Sequence, residues 1–117
     1  MKTFVAIFTG TAEAMARFQA LPEAERRAVQ QRGSAAWHAW ADKNRSALVN
    51  LGSPLGKTKR VSASGIADGR NNIGAYTIVQ AESHEAAAKL FEGHPHFTVF
   101  PGDAVEVMEC LPIPAAG

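Results

Sequence analysis

The fold of this chain is decided by residues 74–114, which read GAYTIVQAESHEAAAKLFEGHPHFTVFPGDAVEVMECLPIP. An apolar run over 73–80 predicts a strand, and the apolar spacing after Ser83 predicts a helix that this serine caps. Gly93 is expected to end that helix, because glycine readily adopts the left-handed conformation that closes helices. A His-Pro-His-Phe turn follows, and alternation over 105–110 predicts a final strand. This stretch therefore predicts the second half of a small α/β sandwich.

The N-terminal part supplies the matching first half. Residues 3–9 are apolar on both faces, which predicts a central strand covered on both sides, and 73–80 share this property. The other predicted elements are a short helix capped by Thr11, a longer helix from Pro22 to about residue 44, a short strand at 47–51, a strand at 58–65 and a loop at 66–72.

The order of these elements is β-α-β-β-α-β, with 47–51 as an extra strand. This order predicts one α+β domain over 1–117 with a ferredoxin-like fold, a four-stranded antiparallel sheet with both helices on one face. In that topology the first and third strands are central, as their apolar faces require. The face without helices then needs a cover, and we expect a homodimer packed through this open sheet face. Its apolar side chains are predicted to be Val5, Ile7, Ala75 and Val79.

Composition excludes several classes of protein. Twelve Lys and Arg against eleven Asp and Glu give a net charge of +1, without the basic excess typical of nucleic-acid binding. No apolar run approaches the roughly 20 residues that span a bilayer, so neither nucleic acid nor membrane is an expected partner. A single cysteine, Cys110, precludes an internal disulfide and fits a reducing compartment. We expect a soluble cytoplasmic protein.

Short motifs run through residues 45–111. They are GSPL at 52–55, DG at 68–69, GAYTIV at 74–79, AES at 81–83, Pro95, Gly102 and VEV at 105–107. Their order resembles the YCII-related/DGPF family of the dimeric α/β-barrel superfamily. The resemblance implies a dimer with a cleft between sheet and helices. In some members a His–Asp pair is proposed to act as acid and base.

The chain departs from the family pattern at two places. The Asp-Gly-Pro-Phe motif survives only as Asp68-Gly69-Arg70-Asn71. After the second helix, relatives carry Asp-Pro-aromatic, whereas this chain has His94-Pro95-His96-Phe97. An imidazole therefore replaces the family's acid. The resemblance aligns the family histidine near the end of the first helix with His38.

The best candidates for catalysis are His94 and His96, which flank a proline in a predicted extended turn that allows both rings to project to one side. Imidazole titrates near neutral pH, which suits it to proton transfer. Two histidines on one loop are too few for a catalytic metal site. His38 or Asp103 could complete such a site, but nothing in the spacing demands it, so we predict neither a metal nor another cofactor. The alternative is a helix-ending loop whose histidines bind backbone groups or a partner.

A second candidate pair, His38 and Asp42, lies four residues apart on one helix face. Asp42 could orient His38 as a base, or the two could form a weak surface pair. Trp37 lies beside them, off the packing stripe, where it could wall a pocket. Other predicted ligand-binding residues are Arg60 and Ser62 on one strand face, or else on the outside of a hairpin, and Phe97 after the second helix.

Three functions remain open at this point. The first is a YCII-like enzyme or binder of a small polar organic molecule, with acid/base chemistry by histidine. The second is a cofactor-free monooxygenase-like enzyme, which needs an enclosed apolar pocket lined by aromatics such as Trp37 and Phe97. The third is a non-enzymatic ligand-sensing or assembly module. If the first is correct, His38, His94 and His96 should converge on one cavity within a protomer.

Overall fold

The structure is a computed structural model and describes residues 1–115. A 3-10 turn, Arg45–Ala47, precedes the second strand. The strands and helices in chain order are β1 Lys2–Thr9, α1 Ala12–Gln19, α2 Glu23–Lys43, β2 Leu48–Pro54, β3 Thr58–Ser62, β4 Gly65–Gly69, β5 Ile73–Ala81, α3 His84–Lys89, α4 Pro95–Thr98 and β6 Ala104–Glu109.

The main sheet is antiparallel with four strands in the order β2-β5-β1-β6. The two strands predicted to be central, β1 and β5, do occupy the middle. Together with the helices, this sheet confirms the predicted ferredoxin-like α+β class.

The second strand of this sheet is not the one that was expected. The segment treated as an extra strand is β2, and it pairs with β5. The predicted strand at 58–65 instead forms a separate hairpin of β3 and β4, and β4 occupies most of the predicted loop. Leu48 packs against the core, whereas the side chains of 59–64 are exposed and mostly polar. The segment beside β5 is therefore the one that packs Leu48 against the core, while Val49 and Leu51 of the same strand remain exposed.

The helices cover one face of the sheet, and the hydrophobic core lies between the helices and this face. In the register of β1 and β5, Phe4 is opposite Val79 and Phe8 is opposite Ala75, all on the helix side. The buried apolar residues are Phe4, Ala6, Phe8, Trp40, Ala75, Val79, Ala81, Ala87 and Phe91.

The same register corrects the predicted composition of the open face. Val5 is opposite Ile78, and Ile7 is opposite Tyr76. Directly opposite residues of an antiparallel pair share a face. Tyr76 and Ile78 therefore accompany Val5 and Ile7 there, in place of the predicted Ala75 and Val79. These four side chains are half-buried.

The predicted helix caps are present. The Thr11 hydroxyl accepts a hydrogen bond from the Ala14 amide at 3.0 Å, and the Ser83 hydroxyl accepts one from the Ala86 amide at 3.1 Å. Gly33, within α2, faces the ring of Phe100, and a Cβ there would overlap that ring. The close approach is therefore between α2 and the segment that follows α4.

Candidate functional site

The His-Pro-His turn forms one helical turn instead of the predicted extended segment. Gly93 adopts a φ of 68°, and α4 then begins at Pro95. Proline suits this position because the first amide of a helix has no hydrogen-bond partner within the helix, and proline has no amide hydrogen. The Nδ1 atom of His94 accepts a hydrogen bond from the His96 amide at 3.0 Å and so caps α4. Because the segment is helical, the two rings separate, with His94 in the core and His96 at the surface.

His94 lies in a box of aromatic rings and has no solvent exposure. Its ring centroid is 4.5 Å from that of Trp37, 4.6 Å from that of Trp40 and 5.0 Å from that of Phe8. Burial, and next the nearby His96, lower its pKa from 6.5 to about 4. Since Nδ1 accepts a hydrogen bond, the proton of the neutral ring is on Nε2, which has no hydrogen-bond partner within residues 1–115.

His96 is half-buried and is oriented by the backbone of β1. Its Nε2 lies 2.6 Å from the carbonyl oxygen of Thr9. A carbonyl oxygen only accepts, so Nε2 carries the proton and Nδ1 has the free lone pair. The ring rests on Phe8 and Trp37, with centroid distances of 5.2 and 6.5 Å. A Cβ at Gly102 would overlap this ring, so the glycine permits its position.

His96 lines the larger of two grooves, which has a volume of about 910 Å³. One side of this groove is formed by α1, Trp37 and the segment around Phe100. The other side is formed by the base of the β3–β4 hairpin and the segment that leads into β5. Besides His96, the residues used below are Met15, Phe18, Trp37, Lys57, Lys59, Asp68, Arg70 and Phe100.

His38 lines a smaller, adjoining groove of about 270 Å³. The two grooves share Trp37 and Phe100 in their walls. His94 is in neither lining. The three predicted histidines therefore do not converge on one cavity, and a molecule in either groove would not touch His94.

The predicted pairing of His38 with Asp42 is not made. The Asp42 carboxylate accepts a hydrogen bond from Arg45 at 2.6 Å, and His38 is exposed. Arg45 follows the end of α2 and bends back to the Asp42 carboxylate. The carboxylate is therefore paired with a guanidinium and not with the His38 imidazole. This geometry does not support Asp42 as the group that orients His38.

The predicted ligand-binding residues have mixed positions. Trp37 lines both grooves, as its off-centre position on α2 suggested. Arg60 and Ser62 are exposed and line neither groove. Their positions match the alternative prediction, in which they lie on the outer face of a hairpin. Phe97 is also absent from both linings, and the aromatic ring that lines them after α4 is Phe100.

Sequence reasoning missed two groove residues besides Phe100, namely Lys57 and Arg70, and it missed the backbone group of Thr9 that orients His96. Thr9 was predicted only as part of a strand. Its carbonyl oxygen binds His96 because the tertiary structure brings these two residues together. Lys57 and Arg70 flank the hairpin. Lys57 belongs to a short basic run at 57–60, whereas no local pattern marked Arg70. Gly33 was the available signal for Phe100, since a glycine inside a helix indicates that a neighbour approaches closely.

Within residues 1–115, no cluster of three or more His, Cys, Asp or Glu side chains could hold a metal ion. Over the same range, no helix is both long and apolar enough to cross a membrane.

No protein-family model and no curated protein matches this sequence. The structure is similar to that of a 5-chloro-2-hydroxyhydroquinone dehydrochlorinase (TftG) from Burkholderia phenoliruptrix AC1100, solved in complex with 2,5-dihydroxybenzoquinone. The TM-score is 0.51 at 16% sequence identity, and the match covers 92% of this chain and 91% of the other. At that identity the likeness shows that the two chains share a fold.

Proposed function

We propose that this chain is a YCII-like protein that binds a small polar aromatic compound in the larger groove and moves a proton with His96. The sequence motifs and the fold support the family. The groove combines two aromatic side chains, Trp37 and Phe100, with an oriented imidazole, His96. Aromatic walls favour a flat ligand, because stacked and edge-to-face ring pairs are favourable.

The observation that carries this proposal is the hydrogen bond from His96 Nε2 to the Thr9 carbonyl. This bond holds one tautomer, so Nδ1 is available as a base. It can take the proton of a ligand hydroxyl while the neighbouring ring carbon gains a proton from water. The imidazolium then gives its proton to the hydroxide that remains, so the enol becomes the ketone with no net change in protons. The reverse steps return both protons, so the reaction is a keto–enol interconversion with no net change in oxidation state. His96 is our candidate catalytic residue.

The structural neighbour supports the ligand class. TftG is named for a hydroxylated chlorohydroquinone and was solved with a hydroxylated quinone. A hydroxylated six-membered ring of this size suits the groove described here. We therefore take 2-hydroxyhydroquinone as the test compound.

His96→Gln is expected to slow proton transfer by about 100-fold or more, since a general base contributes roughly that factor. Glutamine can still donate to the Thr9 carbonyl but has no basic nitrogen. The measurement is protein-dependent exchange of ring C–H for deuterium in 2-hydroxyhydroquinone, followed by proton NMR in D₂O without oxygen. His38→Gln is the matched control and should exchange at the wild-type rate.

Two outcomes would contradict the catalytic role. Exchange that is equally fast in His96→Gln would remove His96 as the base. Binding of the compound by calorimetry without any wild-type exchange would indicate a ligand-sensing module, the non-enzymatic alternative.

We further propose that the chain is a homodimer through the open face of the sheet. The described chain is only 18 Å thick along its shortest axis, enough for one sheet and one layer of helices. Four apolar side chains lie together on the uncovered side, namely Val5, Ile7, Tyr76 and Ile78. A second copy of the same face would bury them.

Ile78→Glu is expected to convert the dimer to a monomer, because it places a charge on the face that would be buried. Sedimentation equilibrium at micromolar concentration measures the mass. Ala39→Glu, at an exposed position of α2, is the control and should remain dimeric. A wild-type protein that sediments as a monomer would refute the dimer.

A further inference from the structure

The larger groove has an uneven distribution of charge. Its lining contains three cationic residues, Lys57, Lys59 and Arg70, and one carboxylate, Asp68. Lys59 and Asp68 neutralise each other in an ion pair with an N–O distance of 2.5 Å. Within residues 1–115, Lys57 and Arg70 form no ion pair. The groove lining therefore carries two uncompensated positive charges.

Lys57 and Arg70 lie at the base of the hairpin, one on each of its two chain segments. Thr58 pairs with Gly69 at the base of β3 and β4, so Lys57 and Arg70 occupy the next positions on either side. Like charges at facing positions repel each other. The chain after Arg70 is held by Asn71, whose side chain donates to the Thr58 hydroxyl at 3.2 Å and accepts from the Ile73 amide at 2.9 Å. Both cationic residues therefore flank an ordered part of the groove.

The rest of the described lining has no Lys, Arg, Asp or Glu side chain. It presents Met15, Phe18, Trp37 and Phe100. A ligand that fits this pattern has an apolar ring at one end and a negative group at the other. A compact anion between Lys57 and Arg70 would relieve their repulsion and gain two charge-assisted hydrogen bonds.

We propose that the ligand of the larger groove is an aromatic carboxylate that also bears a hydroxyl group, with Lys57 and Arg70 as the residues that bind its carboxylate. The ring packs on Trp37 and Phe100. The hydroxyl meets His96. This inference rests on the proposed function for the groove. It adds that the ligand carries a negative charge, a property that proton transfer by His96 does not require.

The test compares two compounds that differ by one carboxylate, 2,5-dihydroxybenzoate and hydroquinone, with binding measured by calorimetry at low ionic strength. Wild-type protein is expected to prefer the carboxylate by about tenfold or more, the factor that corresponds to about 1.4 kcal/mol. In the double variant Lys57→Gln/Arg70→Gln the two compounds should bind with about equal affinity. The affinity for hydroquinone should stay within about twofold of the wild-type value. Arg60→Gln on the same hairpin lines neither groove and should keep the preference.

Three results would overturn the inference. The double variant could keep the preference, Arg60→Gln could lose it equally, or the wild type could fail to discriminate between the compounds. If hydroquinone binding and deuterium exchange persist without discrimination, the charge of the ligand is refuted and the proposed function stands. If neither compound binds and no exchange occurs, both proposals are refuted.

Discussion

Lowering the pH from 7 to 4 is expected to reduce the free energy of unfolding by about 3 kcal/mol through His94 alone. In the folded chain the His94 pKa is about 4, against 6.5 for an ordinary histidine, because burial among aromatic rings disfavours the charged form. Between these two values the unfolded chain binds a proton that the folded chain does not. Stability is therefore fully present above pH 6.5 and decreases as the pH falls towards 4.

Urea unfolding at a series of pH values measures this effect. In His94→Asn, the asparagine oxygen can still accept from the His96 amide and cap α4, but it does not titrate. The variant is expected to lose stability at pH 7 through the missing ring and to show about 3 kcal/mol less pH dependence. His38→Asn replaces an exposed histidine and should keep the wild-type pH dependence. An unchanged pH slope in His94→Asn would contradict the assignment.

Gly52→Ala is expected to destabilise the fold by about 4 kcal/mol. Gly52 lies in β2 with a φ of 78°, a conformation that costs an L-residue energy, and a Cβ there would overlap the carbonyl oxygen of Tyr76. That carbonyl belongs to β5, the central strand that pairs with both β1 and β2. Its neighbour Thr77 is buried and donates to the Leu51 carbonyl at 2.9 Å. The overlap therefore cannot be relieved without moving the sheet.

The control is Gly56→Ala, four residues later. No atom lies within 4 Å of a Cβ at Gly56, and its φ is not positive. This variant should be within about 0.5 kcal/mol of wild type, as surface substitutions usually are. Thermal and urea unfolding of both variants give the comparison. Equal stability of the two would show that β2 does not require a glycine at position 52.

Most of the main sheet could be predicted because its signals are local. The apolar residues on both faces of 3–9 and 73–80 correctly identified the central strands. Thr11 and Ser83 likewise marked two helix starts through side chains that bond nearby amides. The edge strand was harder to identify, since choosing 48–54 over 58–65 requires a comparison of burial that only the assembled sheet decides.

The candidate site was predicted only in part. His96 and Trp37 were recognised by residue type and do line the larger groove. The division of roles between His94 and His96 was not predictable. It depends on the helical turn at 95–98, where His94 is the buried cap and His96 is half-buried at the groove, and on a Thr9 carbonyl 87 residues away in the chain. Phe97 was chosen where Phe100 lines the groove, and Phe100 lies against Gly33 of α2, a long-range contact that the local sequence does not show.

The sequence by itself determined the class of fold, the central strands and the helix caps, since each depends on periodicity or on neighbours within a few residues. Only the tertiary structure decided which strand completes the sheet, which side chains share the open face and which imidazole reaches the groove. These depend on strand register and on competition for burial, which join residues far apart in the chain. The stretch from Gly74 to Pro114 thus specifies its own elements, while packing against β1 and α2 separates a buried His94 from a groove-lining His96.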